Sequence, residues 1–244
     1  MTETMTIQMS YKCAKCKDEG FIYYEKEDEY GNIRQYAKPC ECRIKENNEK
    51  RIAKANVSEL FKKCTFYNFK EHTQEQEKVK KKCVDFYRQL VNCDVEVKVK
   101  WLLLSGQVGS GKTHLAISIL NNLIKNGINV LYTNYKDLIR ELSQSAMDKL
   151  EYDQHINKCV NADVLLIDDL FKSRNNAEIT KATLEYMYQI INKRYLNNAI
   201  TIFTSEKSVN ELLEIDEAIG SRIVQMTNKE FIVNMEKIKN YRLL

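Results

Sequence analysis

Residues 101–113 read WLLLSGQVGSGKT. Four apolar residues lead into a loop, and residues 106–113 have the pattern G-x-x-x-x-G-K-T that is typical of a phosphate-binding P-loop. Glycines let the backbone turn tightly, so that successive N–H groups can point at phosphate oxygens without interference from a Cβ atom. The stretch therefore predicts a buried strand, a phosphate-binding loop and a helix that starts beneath the phosphates.

The residue types in this loop predict individual roles. Lys112 is expected to contact the β- and γ-phosphates of ATP, and the Thr113 hydroxyl is expected to ligate Mg²⁺. The helix predicted over His114–Lys125 would turn its positive N-terminal end toward the anion. A chance glycine-rich turn is the alternative, and the flanking strand and helix patterns argue against it. The predicted nucleotide-binding residues are Gly106, Gln107, Val108, Gly109, Ser110, Gly111, Lys112, Thr113, His114 and Asp168.

A second signal is the sequence DVLLIDD at residues 163–169, an apolar strand that ends in two carboxylates. Asp168 is expected to hold the hydration shell of Mg²⁺, and Asp169 is expected to orient the attacking water as a general base. The alternative is a strand that merely ends at two capping acids. Many ATPases with a P-loop have glutamate as the second of these two carboxylates, where this chain has Asp169. The shorter aspartate predicts slow ATP hydrolysis.

Further candidates for contact with the γ-phosphate lie later in the chain. The strand predicted over Ala199–Ser205 ends in the hydroxyls of Thr204 and Ser205, and either could sense the γ-phosphate from a neighbouring strand tip. Arg222 is either an ordinary ion-pair residue or an arginine finger that reaches the γ-phosphate of a neighbouring subunit. Arg242 is a weaker candidate for phosphate contact within one chain.

The N-terminal residues predict a small separate module. Two strands, Phe21–Tyr24 and Ile33–Lys38, should form a hairpin, which is too short to bury a core of its own. A pair of cysteines lies at each end of this hairpin. Four thiolates brought together there would hold one structural Zn²⁺ and leave no open position for water. The rival interpretation is four unrelated thiols. The candidate zinc ligands are Cys13, Cys16, Cys40 and Cys42.

The length of 244 residues suits one large domain with a small appendage. With 43 % hydrophobic and 30 % charged residues and a net charge of +4, the composition is that of a soluble protein. No apolar run approaches the ~18 residues of a membrane span, and the first residues do not have the pattern of a secretory signal. We therefore expect a cytoplasmic protein without a membrane partner, in which the cysteines are thiols or metal ligands.

The order of these patterns predicts an α/β protein, in which a five-stranded parallel sheet has helices on both faces. A strand that begins in the alternating residues 95–100 should continue into Trp101–Leu104 and be buried on both faces. We expect a zinc module over residues 1–56, a linker over 57–69 and an ATPase domain over 70–244. The other predicted strands and helices are Asn129–Asn134, Phe231–Val233, Thr73–Val91, Tyr135–Met147, Glu178–Tyr195 and a short helix within Asp216–Gln225.

Taken together, these motifs resemble those of AAA+ ATPases. More narrowly, residues from about 60 to 244 are similar to replicative helicase loaders of the DnaC/DnaI type and to the related IstB-like ATP-binding group, found in bacteria and phages. By this resemblance Thr204 or Ser205 matches the γ-phosphate sensor and Arg222 the arginine finger, whereas Glu206 stands where asparagine is usual. The resemblance is carried by residues 106–113, 164–170, 191–195, 204–205, 219–223 and 241–242.

The resemblance implies an ATP-dependent helicase loader that self-associates with ATP at protomer interfaces. Its cofactors would be ATP, Mg²⁺ and structural Zn²⁺. Its N-terminal module would bind a replicative DNA helicase, and the Tyr135–Met147 helix would contact single-stranded DNA. Two other functions remain open at this point. One is a transposition helper that assembles on duplex DNA, and the other is a non-hydrolysing adaptor that sequesters a replication protein.

Overall fold

The computed structural model describes residues 11–27, 31–54, 58–92, 99–172 and 179–241. Within these ranges the chain forms a two-stranded N-terminal hairpin and a five-stranded sheet flanked by helices. Residues 95–98, where the alternating strand pattern begins, and the candidate Arg242 lie outside the described residues. Among the described helices, none is long and apolar enough to cross a membrane.

The five-stranded sheet is parallel throughout, as the sequence predicted, and its strand order is β4-β5-β6-β3-β7. Every residue of β3 and of β5 is buried, which explains why both strands are unbroken apolar runs in the sequence. The carboxyl ends of parallel strands meet at one edge, so the P-loop after β3, the acids after β5 and the hydroxyls ending β6 converge there. The strands are β3 (Trp101–Ser105), β4 (Val130–Asn134), β5 (Val164–Asp168), β6 (Ile200–Ser205) and β7 (Ile232–Asn234).

Helices cover both faces of this sheet. On one face α3 and α4 pack their apolar residues against the strands, and on the other face α5, α6, α7, α8 and α9 do so. The helices of the ATPase region are α3 (Gln74–Val91), α4 (Lys112–Lys125), α5 (Tyr135–Gln144), α6 (Lys149–Val160), α7 (Lys181–Leu196), α8 (Val209–Ile215) and α9 (Glu217–Met226).

Two of these helices were not among the predicted elements, although each has a capping residue at its start. Helix α5 ends at Gln144, short of the predicted Met147, and α6 begins after Asp148. The Asp148 carboxylate accepts hydrogen bonds from the first backbone N–H groups of α6. Ser208 and Glu211 form a capping box that starts α8.

The N-terminal hairpin consists of β1 (Phe21–Glu27) and β2 (Ile33–Pro39), paired antiparallel. It continues into α1 (Glu41–Lys54), which is followed by the short helix α2 (Ser58–Lys63). Helix α1 lies against α4 and β4. The buried Asn48 side chain of α1 donates a hydrogen bond to the carbonyl oxygen of Ile128 at 2.7 Å, which fastens the hairpin region to the larger sheet.

Candidate functional site

The P-loop connects β3 to α4, and its glycines are required by close approach to neighbouring segments. Gly111 has a φ of 94°, which side-chain-bearing residues rarely adopt, and a Cβ there would lie 2.7 Å from the Phe69 ring. A Cβ on Gly106 would lie 2.6 Å from the backbone carbonyl carbon of Met235. The loop is therefore enclosed by residues that precede α3 and by the segment that follows β7.

Lys112 is buried at the start of α4, and its ammonium folds back over the loop. It donates hydrogen bonds of 2.7 Å each to the carbonyl oxygens of Gly106 and Gln107. Burial lowers the pKa of Lys112, and the nearby carboxylates of Glu206 and Asp169 oppose that shift. The ammonium lies inside the loop, where phosphate oxygens can replace the two carbonyls as its partners.

Asp168 is buried at the end of β5 and is surrounded by hydroxyl groups. Its Oδ1 accepts hydrogen bonds from Thr113 at 2.8 Å and from Thr204 at 2.6 Å, and its Oδ2 accepts one from Tyr132 at 3.1 Å. Burial raises the pKa of Asp168, and these hydrogen bonds oppose that effect. The Thr113 hydroxyl and the Asp168 carboxylate supply adjacent oxygen ligands of the kind that Mg²⁺ prefers, so the residues fit this ion. Sequence reasoning had missed Tyr132.

Asp169 follows at the mouth of the site in a left-handed conformation, with a φ of 60°. Its carboxylate lies 3.1 Å from the Lys172 ammonium, which also pairs with Glu206 at 2.7 Å. Sequence reasoning noted Glu206 only as a departure from the family pattern and did not select Lys172. These three residues form a charged cluster that we call the Lys172 cluster.

Thr204 and Ser205, the candidate sensors, are fully buried at the end of β6. The Thr204 hydroxyl donates to Asp168 and accepts a hydrogen bond from the Asp169 N–H at 2.8 Å. The Ser205 hydroxyl donates to the carbonyl oxygen of Leu170 at 2.8 Å. Both hydroxyls tie β6 to the acidic end of β5, and neither side chain lines the cavity beside the P-loop. Their sensor role stays a prediction.

A cavity of about 650 Å³ opens beside the P-loop and has the size of a small-molecule site. Its charged groups come from the P-loop and the strand ends, and its aromatic rings come from distant parts of the chain. Phe69 contacts Tyr241, with ring centroids 5.3 Å apart, and His114 at 5.6 Å. The Tyr241 N–H donates to the carbonyl oxygen of Gly109 at 2.9 Å, so the end of the described chain contacts the loop directly.

The predicted P-loop residues fall into two groups. Gln107 and Ser110 face away from the cavity: the Gln107 amide donates to the Ile238 carbonyl oxygen, and the Ser110 hydroxyl is buried. Gly106 packs against Met235. The cavity is lined by the other predicted residues of the loop and of the β5 end, namely Val108, Gly109, Gly111, Lys112, Thr113, His114, Asp168 and Asp169.

Arg222, the candidate finger, lies on α9 outside the cavity. Its guanidinium donates to the carbonyl oxygen of Ala218 at 2.6 Å and to Asn192 at 3.1 Å. It also lies over the rings of Tyr188 and Tyr195, at 5.1 and 5.5 Å from their centroids. Arg222 therefore does not line the cavity of its own chain, and its role as a finger stays a prediction.

The four N-terminal cysteines form a compact sulfur cluster at the base of the hairpin. All four Sγ atoms lie within 4.8 Å of one another. The Cys13–Cys40 and Cys16–Cys42 distances are 3.8 and 3.4 Å. Four sulfurs around Zn²⁺ at about 2.3 Å form a tetrahedron with edges of about 3.8 Å, so the cluster fits a structural zinc ion. The predicted approach of the two cysteine pairs is confirmed.

Local backbone geometry prepares this cluster. Lys17 and Asp18 turn the chain with left-handed φ values of 50° and 70°, and the Asp18 carboxylate accepts a hydrogen bond from the Cys13 N–H at 2.8 Å. The Gly20 N–H donates to the Cys16 sulfur at 3.4 Å. Hydrogen bonds with Cys16 lower the pKa of the Cys13 thiol to about 7 and, together with burial, raise the pKa of the Cys42 thiol to about 12, so the four sulfurs share their protons unequally.

Several known proteins are similar to this chain in sequence. It is 35 % identical to the uncharacterized protein YqaM of Bacillus subtilis over 202 aligned residues. The alignment covers 81 % of this chain and 63 % of YqaM. It is 29 % identical to the phage-like element PBSX protein XkdC of Bacillus subtilis, over 91 % of this chain and 82 % of XkdC. An ATP-binding protein of insertion sequence IS5376 from Geobacillus stearothermophilus is 30 % identical over 64 % of this chain and 61 % of its own length. The chain thus spans less than two thirds of YqaM and of the IS5376 protein.

Solved structures share the fold. The AMPPCP-bound DnaA from Aquifex aeolicus matches with a TM-score of 0.59 and 22 % identity, over 74 % of this chain and 52 % of that one. The DnaC helicase loader matches with a TM-score of 0.57 and 24 % identity, over 74 % of this chain and 99 % of that one. Residues 42–229, most of the chain, match the family described as IstB-like ATP binding protein. The chain belongs to this family of ATP-binding proteins.

Proposed function

We propose that this protein loads a replicative DNA helicase onto single-stranded DNA and hydrolyses ATP slowly in doing so. The observation that carries the ATP-dependent part is the contact of Thr113 with Asp168 beside the buried Lys112 ammonium, which together offer a magnesium site and a phosphate site in one cavity. The sulfur cluster supports the loader part, because it makes a separate, rigid hairpin available for a partner protein.

The chain divides into three functional parts under this proposal. Residues 1–56 form the zinc-bearing module that binds the helicase, residues 57–69 link it, and residues 70–244 form the ATPase. Lys112 and the P-loop amides bind the phosphates, while Thr113 and Asp168 hold Mg²⁺. Asp169 accepts a proton from the attacking water. Arg222 acts on the nucleotide of a neighbouring copy, so hydrolysis depends on self-association.

Nucleotide binding and turnover test the ATPase. Lys112→Met should abolish binding of Mg–AMPPCP in calorimetry. Lys70→Met, which changes a cavity lysine whose ammonium lies over the Tyr67 ring, should bind as the wild type does. Arg222→Ala should keep its affinity and lose hydrolysis by roughly 10³-fold or more. Its melting temperature must stay near that of the wild type, since Arg222 also packs on two tyrosine rings. Equal turnover by Arg222→Ala and the wild type would rule out the finger.

Complex formation tests the loader. The full chain should bind the replicative helicase of its host and, with ATP, transfer it to single-stranded DNA. A Cys13→Ser/Cys16→Ser variant should lose helicase binding and keep Mg–AMPPCP binding. Retention of helicase binding by this variant would contradict the role given to the hairpin.

The relationship to the IS5376 protein favours a second candidate, a transposition helper ATPase that assembles on duplex DNA. This function predicts ATP-dependent oligomers on duplex DNA and no complex with helicase. A third outcome, nucleotide binding without turnover alongside capture of a replication protein, would identify a sequestering adaptor instead.

A further inference from the structure

The side chain of Lys172 reaches the cavity because the chain turns sharply after β5. Asp169 and Phe171 have left-handed φ values of 60° and 56°, and the Lys172 N–H closes the turn on the Asp169 carbonyl oxygen at 3.0 Å. The turn is anchored on both sides: the Phe171 ring is fully buried against Tyr135, and the Leu170 N–H donates to β6. This anchored turn brings the Lys172 ammonium back to the carboxyl ends of the strands.

The Lys172 cluster lies on the same cavity as the phosphate-binding residues. The ammonium is 3.1 Å from Asp169 and 2.7 Å from Glu206, and the three side chains are between 22 % and 31 % exposed. Ion pairs with this much access to water add little to stability. The same access leaves the ammonium open to a ligand in the cavity.

The balance of charge around the cavity explains what Glu206 does. The described residues that line the cavity include two ammonium groups near the end of β5, Lys112 and Lys172. They also include three carboxylates there, Asp168, Asp169 and Glu206. Asp168 would hold Mg²⁺ and Asp169 would act on water. Glu206 faces an anion site with no such task, and a carboxylate repels phosphate. Glu206 can still favour phosphate binding through its contact with Lys172, because that contact holds the Lys172 ammonium in position.

The two hydroxyls at the end of β6 already have hydrogen-bond partners within the protein. Thr204 bonds Asp168 and the Asp169 N–H, and Ser205 bonds Leu170, so neither hydroxyl faces the cavity. We propose that Lys172, positioned by Glu206, contacts the terminal phosphate of bound ATP and thereby distinguishes ATP from ADP. This inference rests on the proposed ATP function of the cavity.

The same contact would couple nucleotide recognition to catalysis. In the structure the Lys172 ammonium is shared between Asp169 and Glu206. A terminal phosphate carries more negative charge than the Asp169 carboxylate, so it attracts the ammonium more strongly. Glu206 keeps the ammonium at the cavity while Asp169 is released to act on water. With ADP, Lys172 stays on both carboxylates.

Calorimetric binding of Mg–ADP and Mg–AMPPCP to the full chain tests this inference, because the two ligands differ in the terminal phosphate group. The wild type should bind Mg–AMPPCP more tightly than Mg–ADP. Lys172→Met should reduce that preference by about tenfold, the size of one charge-assisted hydrogen bond. Lys70→Met is the matched control, since Lys70 also lines the cavity but its ammonium lies over the Tyr67 ring, and the change should leave the preference unchanged.

Glu206→Gln separates positioning from simple charge. If only total charge mattered, the loss of one carboxylate would raise the affinity for Mg–AMPPCP relative to Mg–ADP. The positioning role predicts the opposite, a lower preference for Mg–AMPPCP, because Lys172 is then drawn to Asp169 alone. An unchanged preference in Lys172→Met, or a raised one in Glu206→Gln, would overturn the inference while leaving ATP binding intact. A wild type that binds neither ligand would overturn the ATP function itself.

Discussion

The nucleotide site and the N-terminal hairpin hold their functional side chains in place by opposite means. Strands β3 and β5 are buried along their whole length. Strand β5 ends in Asp168, and the P-loop after β3 leads to Lys112 at the start of α4. The hairpin strands β1 and β2 contain no buried residue. Their order depends on main-chain pairing and on four sulfur atoms at one end. Apolar packing therefore positions the nucleotide site, whereas the hairpin would depend on a metal ion held by the four cysteines.

This difference predicts that the sheet and the hairpin can be destabilised independently of each other. Loss of packing in the sheet should weaken the nucleotide site and leave the sulfur cluster intact. Loss of the metal should unfold the hairpin and leave the sheet intact. The two regions meet at helix α1, so the contacts of that helix decide how far one failure spreads to the other.

Removal of zinc should have the largest effect. One Zn²⁺ per chain is expected, and binding of such an ion contributes roughly 10 kcal/mol or more to the folding of a module that lacks its own core. Chelation should abolish amide-exchange protection over residues 21–39 and preserve it in β3 and β5. A protein that contains no metal and still protects the hairpin would contradict the zinc assignment.

Leu166→Ala should come next, with a loss of roughly 2–5 kcal/mol in the free energy of unfolding, because Leu166 is fully buried at the centre of the sheet. Urea denaturation measures the loss, and the zinc content should stay unchanged. Tyr23→Ala is the control in the hairpin. Its side chain is 55 % exposed, so the change should stay within about 0.5 kcal/mol. A fall in zinc content in Leu166→Ala would show that the two regions are not independent.

Asn48→Ala should have the smallest effect, a loss of about 1 kcal/mol from one hydrogen bond to the Ile128 carbonyl oxygen. Because this bond joins α1 to the larger sheet, amide exchange should become faster in α1 than in β3. The neighbouring Asn47→Ala, on an exposed position, serves as the matched control. Equal exchange in the two variants would mean that other contacts of α1 hold the two regions together.

The features that the sequence predicted well are local in the chain. The P-loop, the acidic end of β5 and the cysteine pairs are short patterns whose residue types serve one chemistry, and strands buried on both faces appear as unbroken apolar runs. The cysteine pairs also showed where the hairpin ends meet. Helices α6 and α8 have capping residues, Asp148 and Ser208, that could have indicated where they begin. They were not predicted because their apolar pattern is weak.

The features that the sequence did not predict depend on strand order. Tyr132 on β4 reaches Asp168 on β5, and Lys172 reaches Glu206 after β6. Arg194 lies in a stretch that supports the family resemblance, yet its role emerges only from its hydrogen bonds. Its buried guanidinium binds the carbonyl oxygens of Cys159 and Ala162 at 2.7 and 2.9 Å. Such contacts join residues that are tens of positions apart.

By itself the amino-acid sequence determined that a P-loop, an acidic end on a buried strand and two close pairs of cysteines are present, because each is a short pattern of particular residues at fixed spacings. Only the tertiary structure decided which side chains surround them. It bonded Thr204 to Asp168, brought Lys172 and Glu206 to the cavity and placed the rings of Phe69 and Tyr241 in its wall. The physical reason is that residues at the strand ends become neighbours according to the order of the strands in the parallel sheet. That order differs from the order of the strands along the chain.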